Sequence, residues 1–162
     1  MRLSTINSPG LMNGKLLAIK IRRRSVALAV FSGQSLEYVA TLQLSNEPGA
    51  VIDSVARLVA QALEHFNPAL AALGIGRIRE SSRVSTVMKF TEEMLTSRGI
   101  PVWKVKDQIL LESYATPKLK SCGQMRSIVA SFWPHLSPRQ MSAFEAVALG
   151  FYIQIERLLA HH

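Results

Sequence analysis

Four cationic side chains stand close together near the start of the chain, between two apolar runs. Residues 16–31 spell LLAIKIRRRSVALAVF, with Lys20, Arg22, Arg23 and Arg24 at the centre. Guanidinium groups bind phosphate oxygens in a bidentate fork, and contacts to a nucleic-acid backbone give affinity that does not depend on base sequence. The cluster therefore predicts a phosphate-binding surface. The alternative is an ordinary solvated basic turn.

Two further basic groups are candidates for the same surface, one after a predicted strand near residue 75 and one around a predicted strand near residue 103. If all three groups border one end of a sheet, they form a basic cleft. The residues predicted to contact nucleic acid are Lys20, Arg22, Arg23, Arg24, Arg77, Arg79, Lys106, Lys118 and Lys120.

Length and composition indicate one globular domain. The chain has 162 residues, of which 48% are hydrophobic, and a formal net charge of +8. We expect a loose leader over residues 1–14 and a single domain over residues 15–162. The excess of positive charge favours nucleic acid over an anionic membrane surface or an acidic protein as the partner.

The sequence also bears on compartment and cofactors. The apolar runs are too short for a membrane helix and the first ten residues lack the core of a secretory signal, so we expect a cytoplasmic protein. A lone cysteine, Cys122, excludes an internal disulfide. The histidines have no metal-ligand spacing, and Gly74-Ile75-Gly76 lacks the third glycine of a dinucleotide fingerprint. We therefore expect no metal and no cofactor.

The periodicity of apolar residues predicts the elements that position the cations. Residues 15–21, 26–31 and 36–44 are typical of three strands joined by short turns, which implies an antiparallel meander. The chain then alternates between helices and strands, which implies parallel pairing through right-handed crossovers. The later predicted elements are a helix over 51–66, a strand over 69–75, a helix over 84–98, a strand over 100–105, a helix near 118–132 and a last helix from about 138. Trp103 and Trp133 are predicted to lie in the core.

This order of elements is that of the ribonuclease H-like fold, a mixed five-stranded sheet of three antiparallel and then two parallel strands flanked by helices. The opening segment resembles the first hairpin of Holliday-junction resolvases of the RuvC type. The run Ser142-Ala143-Phe144-Glu145-Ala146-Val147-Ala148-Leu149 is similar to the acidic, alanine-rich start of that family's last helix. The resemblance covers roughly residues 15–159 and implies a nuclease scaffold that acts on branched DNA.

The departures from that family concern its metal-binding acids. The resemblance implies carboxylates that hold two divalent metals, yet Lys20 stands at the first acidic position and Arg22 at the glycine that follows. Gly74, Gly76 and Arg77 occupy the end of the fourth strand, where the family has another acid. Glu145 is retained, so the vestigial positions are Lys20 and Glu145, and we predict that these two side chains form an ion pair.

These observations leave three functions open. The favoured one is a non-catalytic nucleic-acid-binding protein, in which the basic cleft holds the phosphate backbone. The first alternative is a protein-interaction or assembly module with no nucleic-acid role. The second is a metal-dependent nuclease with relocated carboxylates, for which Glu37, Glu80 or Glu112 would have to converge with Glu145. A homodimer is consistent with the first two functions.

Overall fold

The structure is a computed structural model that describes residues 14–76, 82–114, 129–131, 133–134 and 141–160. Five strands and four helices span most of these residues. In chain order they are β1 (Leu16–Ile21), β2 (Ser25–Ser32), β3 (Ser35–Gln43), α1 (Pro48–Phe66), β4 (Leu70–Ile75), α2 (Ser82–Ser97), β5 (Val102–Lys106), α3 (Asp107–Tyr114) and α4 (Met141–Ala160).

The strands form one mixed sheet with the order β3-β2-β1-β4-β5. The three N-terminal strands pair antiparallel, whereas β1 pairs parallel with β4 and β4 pairs parallel with β5. This is the predicted topology, which is confirmed. Because β1, β4 and β5 run in the same direction, their carboxyl ends meet along one border of the sheet, which we call the carboxyl edge.

Helices cover both faces of the sheet, because alternate residues of each strand point to opposite sides. Leu17 and Ile19 of β1 belong to a buried cluster that includes apolar residues of α1 and α2. Leu16 and Ala18 belong to a second cluster on the other face, with residues of α3 and α4. Lys20 continues the alternation of Leu16 and Ala18 and therefore lies on the α4 face.

The ends of α1 illustrate how the chain sets its helix boundaries. Pro48 stands in the first turn, where its missing N–H removes no helical hydrogen bond. Asn67 ends the helix in the left-handed conformation with φ of 48°, and its N–H donates to the carbonyl of Leu63. The helix delivers the chain to β4, whose carboxyl end lies next to Lys20.

One described helix was not predicted, one expectation is wrong, and two expected segments lie wholly or mostly outside the described residues. Helix α3 was not predicted, because residues 107–114 follow β5 without a break in sequence. Trp103 is 43% exposed, so the prediction that it lies in the core is wrong, whereas Trp133 packs edge-on against Phe31 and Phe151 as expected. The predicted leader and most of the helix predicted near 118–132 lie outside the described residues.

Among the described helices, none is long and apolar enough to cross a membrane.

Candidate functional site

The site lies at the carboxyl edge, on the face covered by α4. Ile19 pairs with Leu73 in the parallel register of β1 and β4. Lys20, the next residue, therefore lies beside Gly74, which in turn pairs with Val105. Asp107 continues the alternation two residues after Val105, and Glu145 approaches from the second turn of α4. The end of β1, the start of α3 and the second turn of α4 therefore meet at one point.

Lys20 is buried, with only 4% of its surface exposed, and its ammonium group binds two carboxylates. Its Nζ donates to both oxygens of Asp107, at 2.6 Å and 2.8 Å. Glu145 Oε2 lies 3.7 Å from the same nitrogen. The predicted ion pair between Lys20 and Glu145 is confirmed, but Asp107 is the closer partner.

Gly74 provides the space that the Lys20 side chain occupies. A Cβ atom at this position would stand 3.2 Å from Lys20 Cδ, 3.6 Å from Lys20 Nζ and 3.7 Å from Asp107 Oδ1. The lysine crosses β4 at the one residue without a side chain and so reaches the start of α3. The glycine noted at the end of the fourth strand thus serves the ion pair.

The hairpin between β1 and β2 adds a second cation to the site. Its turn is closed by a hydrogen bond of 2.8 Å from the Arg22 N–H to the Ser25 carbonyl. Arg22 Nη1 lies 3.2 Å from Glu145 Oε1, and the Ser25 hydroxyl lies 3.2 Å from that of Ser142 in α4. Arg23 and Arg24 are exposed, and Arg22 is exposed in large part.

Opposing effects act on the Glu145 carboxyl group. Burial raises its pKa above the ordinary value, and the nearby Asp107 charge acts in the same direction. Lys20 and Arg22 oppose this rise by favouring the ionised form. Glu145 Oε1 is buried and accepts no hydrogen bond from any described residue, although Arg22 is close. The carboxylate is therefore incompletely satisfied.

The structure places some of the predicted phosphate-binding residues and not others. Lys106 is exposed at the end of β5, on the same edge as the β1–β2 hairpin. Two other cations of the described chain have partners: Lys104 of β5 pairs with Glu92 of α2 at 3.1 Å, and Arg83 hydrogen-bonds to the Ser45 carbonyl. Four predicted residues lie outside the described part of the chain: Arg77, Arg79, Lys118 and Lys120.

Asp107 was not among the predicted site residues, although the sequence contains a signal for it. Asp107 is the first residue after β5, which pairs parallel with β4. It stands two residues after Val105, which faces the core on the α4 side, so Asp107 lies on the same side of the sheet. The carboxyl ends of parallel strands share one edge, so an acid at this position is placed near Lys20. The signal depends on knowing where β5 ends, which periodicity alone does not fix.

The two-metal centre implied by the resemblance does not fit the described residues. Hard divalent cations require several anionic oxygen ligands. Here the Lys20 ammonium already occupies the position between Asp107 and Glu145 that such a cation would need. Among the described residues, no group of three or more histidine, cysteine, aspartate or glutamate side chains is arranged to hold a metal.

Comparison with known proteins gives a clear result for the fold. No protein-family model matches the sequence, and no curated protein matches it significantly. Solved structures do match, and they show that the chain has a ribonuclease H-like fold of the kind found in Holliday-junction resolvases.

Three of these structures span nearly the whole chain. RuvC of Thermus thermophilus superposes with a TM-score of 0.74 at 13% identity, covering 89% of this chain and 96% of that one. The yeast mitochondrial resolvase Ydc2 has a TM-score of 0.66 at 11% identity, covering 96% of this chain and 84% of its own. The fowlpox virus resolvase, in complex with Holliday-junction DNA, has a TM-score of 0.57 at 14% identity, covering 87% and 99%. At these identities the likeness establishes the fold.

Proposed function

We propose that this chain binds the phosphate backbone of DNA at the carboxyl edge of its sheet, and that it does so without cutting the DNA. The observation that carries the proposal is the position of Lys20. A buried ammonium group between Asp107 and Glu145 balances the charge of the two carboxylates that the fold brings together. A site whose acids are already paired with a lysine lacks the ligands for metal-assisted hydrolysis.

Binding is supported by exposed cations near this ion pair. Arg23, Arg24 and Lys106 are exposed, and two strand spacings separate the β1–β2 hairpin from the end of β5. That separation is about 10 Å, so the hairpin arginines and Lys106 can contact one segment of a DNA phosphate backbone. Arg22 contributes in part, since it is shared with Glu145.

The solved structures support branched DNA as the polymer. Thermus thermophilus RuvC and the fowlpox virus resolvase are both known in complex with Holliday-junction DNA. This chain shares their fold over nearly its whole length.

The test is binding of the wild-type chain to a labelled four-way DNA junction and to a duplex of equal length, over a series of salt concentrations. Magnesium is present, and the DNA is checked for cutting. We expect tighter binding to the junction, affinity that falls steeply with salt, and intact DNA. No binding at low salt would overturn the DNA-binding proposal, and cutting would overturn its non-catalytic part.

The first alternative, a protein-interaction module, is favoured by a surface away from the carboxyl edge. A groove of about 520 Å³ lies between β3 and α1, lined in part by Tyr38, Leu58 and Phe66. Tyr38 is 40% exposed, and β3 is an edge strand of the sheet. Exposed edge strands can pair with another chain, including a second copy in a homodimer. Light scattering of wild type and Tyr38→Glu tests whether the chain forms a dimer through β3. A dimer that the substitution dissociates would support the interaction module, and a monomer in both would exclude self-assembly at this edge.

The second alternative, a nuclease with relocated carboxylates, depends on which acids accompany Glu145. Glu37 pairs with Lys15 at the opposite end of the sheet, and Glu112 is exposed and accepts a hydrogen bond from Gln108. Neither belongs to the ion-pair network around Lys20, and Glu80 lies outside the described residues. Asp107 is the acid that accompanies Glu145, and Lys20 lies between them.

A further inference from the structure

We propose that the Lys20 ammonium is a tethered substitute for a metal ion, and that removing this side chain opens a divalent-cation site held by Asp107 and Glu145. The chemistry concerned is that of a small hard cation such as Mg²⁺ or Mn²⁺. The inference rests on the ion-pair geometry and does not depend on whether the chain binds DNA.

Carboxylate oxygens from two elements converge on the Lys20 nitrogen. Lys20 Nζ lies within 2.6–2.8 Å of both oxygens of Asp107 and 3.7 Å from an oxygen of Glu145. Carboxylate oxygens that converge on a single point from two different elements are the arrangement that divalent cations prefer. The second oxygen of Glu145 is buried and lies 3.2 Å from Arg22 Nη1, so Arg22 holds this carboxylate in place beside Lys20.

The Lys20 side chain fills the space between Gly74 and the two carboxylates. The lysine side chain is 4% exposed and passes directly beside Gly74, where a Cβ atom would be 3.2 Å from Lys20 Cδ. Shortening Lys20 to alanine therefore leaves a void next to a residue that has no side chain to fill it. Two carboxylates border that void, so the void is polar on one side and suits a hydrated cation.

The charges of the ion-pair network are balanced in the wild type. In the wild type, the two positive side chains Lys20 and Arg22 face the two negative side chains Asp107 and Glu145. A divalent cation entering this network would be repelled by the ammonium group at close range. Without Lys20 the network has an excess negative charge, and the same cation becomes the natural counter-ion.

The test compares wild type, Lys20→Ala and two controls by thermal unfolding and by electron paramagnetic resonance of Mn²⁺. Lys89→Ala removes one exposed positive charge from α2 and controls for net charge. Lys20→Ala combined with Asp107→Asn removes one proposed ligand. We expect Lys20→Ala to bind one Mn²⁺ per chain. At a hundredfold excess over Kd, its melting temperature should rise by about 5–10 °C.

The wild type and the two control variants show which results would overturn the proposal. Wild type and Lys89→Ala should show no Mn²⁺-dependent rise, and the double variant should bind Mn²⁺ at least tenfold more weakly than Lys20→Ala. A folded Lys20→Ala protein that ignores Mn²⁺ would overturn the proposal, as would a wild-type protein that responds to Mn²⁺ equally.

A second variant covers the case in which Lys20→Ala does not fold. If Mn²⁺ restores its folding, the proposal is supported, because the ion then replaces the lost charge. If it does not, Lys20→Ser, which also removes the ammonium group and leaves the space beside Gly74 open but adds a polar hydroxyl group, is tested in the same way. Failure of both variants to fold in Mn²⁺, or folding without Mn²⁺ binding, would overturn the proposal. DNA binding by the wild type is measured separately, so failure of the metal-site proposal leaves the DNA-binding proposal intact.

Discussion

Lys20 is held by interactions that compensate an unfavourable environment for its charge. Moving an ammonium group out of water carries a penalty of several kcal/mol, which ion pairs offset only when their geometry is good and other hydrogen bonds are satisfied. The two short bonds to Asp107 meet that requirement. The contact with Glu145 is longer and less direct. Asp107 therefore contributes more than Glu145 to holding Lys20 in place.

Truncation of Lys20 should destabilise the fold in metal-free buffer. Lys20→Ala leaves Asp107 and Glu145 without their shared cation, and breaking a buried ion pair in this way lowers the free energy of unfolding by about 3–5 kcal/mol. Lys89→Ala, an exposed site on α2, should change it by less than about 0.5 kcal/mol. Urea unfolding in the presence of a chelator measures both. Equal stability of the two variants would show that the carboxylates do not depend on Lys20.

Glu145 should make the stability of the chain depend on pH in a defined direction. Burial raises the pKa of this carboxyl group in the folded chain above the ordinary 4.5. The folded chain thus holds the proton more tightly than the unfolded chain does. The stability that this provides is complete below pH 4.5 and is lost as the pH rises through the folded pKa.

The measurement is the free energy of unfolding of wild type minus that of Glu145→Gln across a pH series. We expect this difference to fall as the pH rises above 4.5. Glu93→Gln, on the exposed face of α2, controls for the loss of one carboxylate. A difference that instead grows with pH would mean that the ion pairs with Lys20 and Arg22 outweigh the burial of Glu145.

At the residue scale, sequence alone could identify Lys20 and Glu145 as partners but not Asp107. The first two stand at positions where the resemblance to resolvases places functional acids. Asp107 has no such counterpart, and its role depends on the exact end of β5 and on the length of the Lys20 side chain. Side-chain reach across a neighbouring strand is a property of packing, and it leaves no periodic pattern in the sequence.

At the element scale, α4 is the helix that brings Glu145 to the sheet, and its approach is set by Gly150. A Cβ atom at Gly150 would stand 2.4 Å from Cε1 of Phe31 and 3.3 Å from the Cβ atom of Ala18. Phe31 is fully buried and packs edge-on against Trp133, so its ring has little freedom to move. The close contact of helix and sheet therefore requires glycine at this position.

Gly150→Ala should therefore destabilise the fold even though alanine is the better helix former. Overpacking at such a contact costs about 1–3 kcal/mol, while the gain in helix propensity is at most about 1 kcal/mol. Gly49→Ala in α1 is the matched control, because nothing lies within 4 Å of the Cβ atom it adds. It should be neutral or slightly stabilising in chemical unfolding. Equal effects of the two substitutions would mean that α4 can shift away from Phe31 without penalty.

The elements themselves were largely predictable, since their signals are periodic. The continuous apolar runs of β1 and β2 and the helical spacing of Val51, Val55 and Val59 follow from which residues face the core. Helix α3 escaped prediction because it begins at the residue after β5, with no glycine or proline to mark the change. Trp103 was misplaced because the apolar residues around it suggested burial, whereas it lies on an edge strand with one open side.

At the scale of the whole molecule, the distribution of positive charge matters more than its total. A net charge of +8 attracts any polyanion, and that alone specifies no site. Several cations are neutralised locally: Lys15 by Glu37, Lys20 by Asp107, and Lys104 by Glu92. Arg23 and Arg24 are exposed beside the ion-pair network. If the carboxyl edge binds DNA, these two arginines should contribute more than equally exposed arginines elsewhere.

Charge reversal at two places distinguishes a site from a general attraction. Arg23→Glu with Arg24→Glu changes the hairpin, whereas Arg57→Glu with Arg98→Glu changes exposed positions on α1 and after α2, away from the carboxyl edge. Both pairs lower the net charge equally. If each hairpin arginine contacts one phosphate, the slope of log K against log salt should weaken by about 1.8 for the hairpin pair and much less for the control pair. Both slopes are measured with the four-way junction. Equal losses would show that the chain attracts DNA through its total charge, without a defined site at the carboxyl edge.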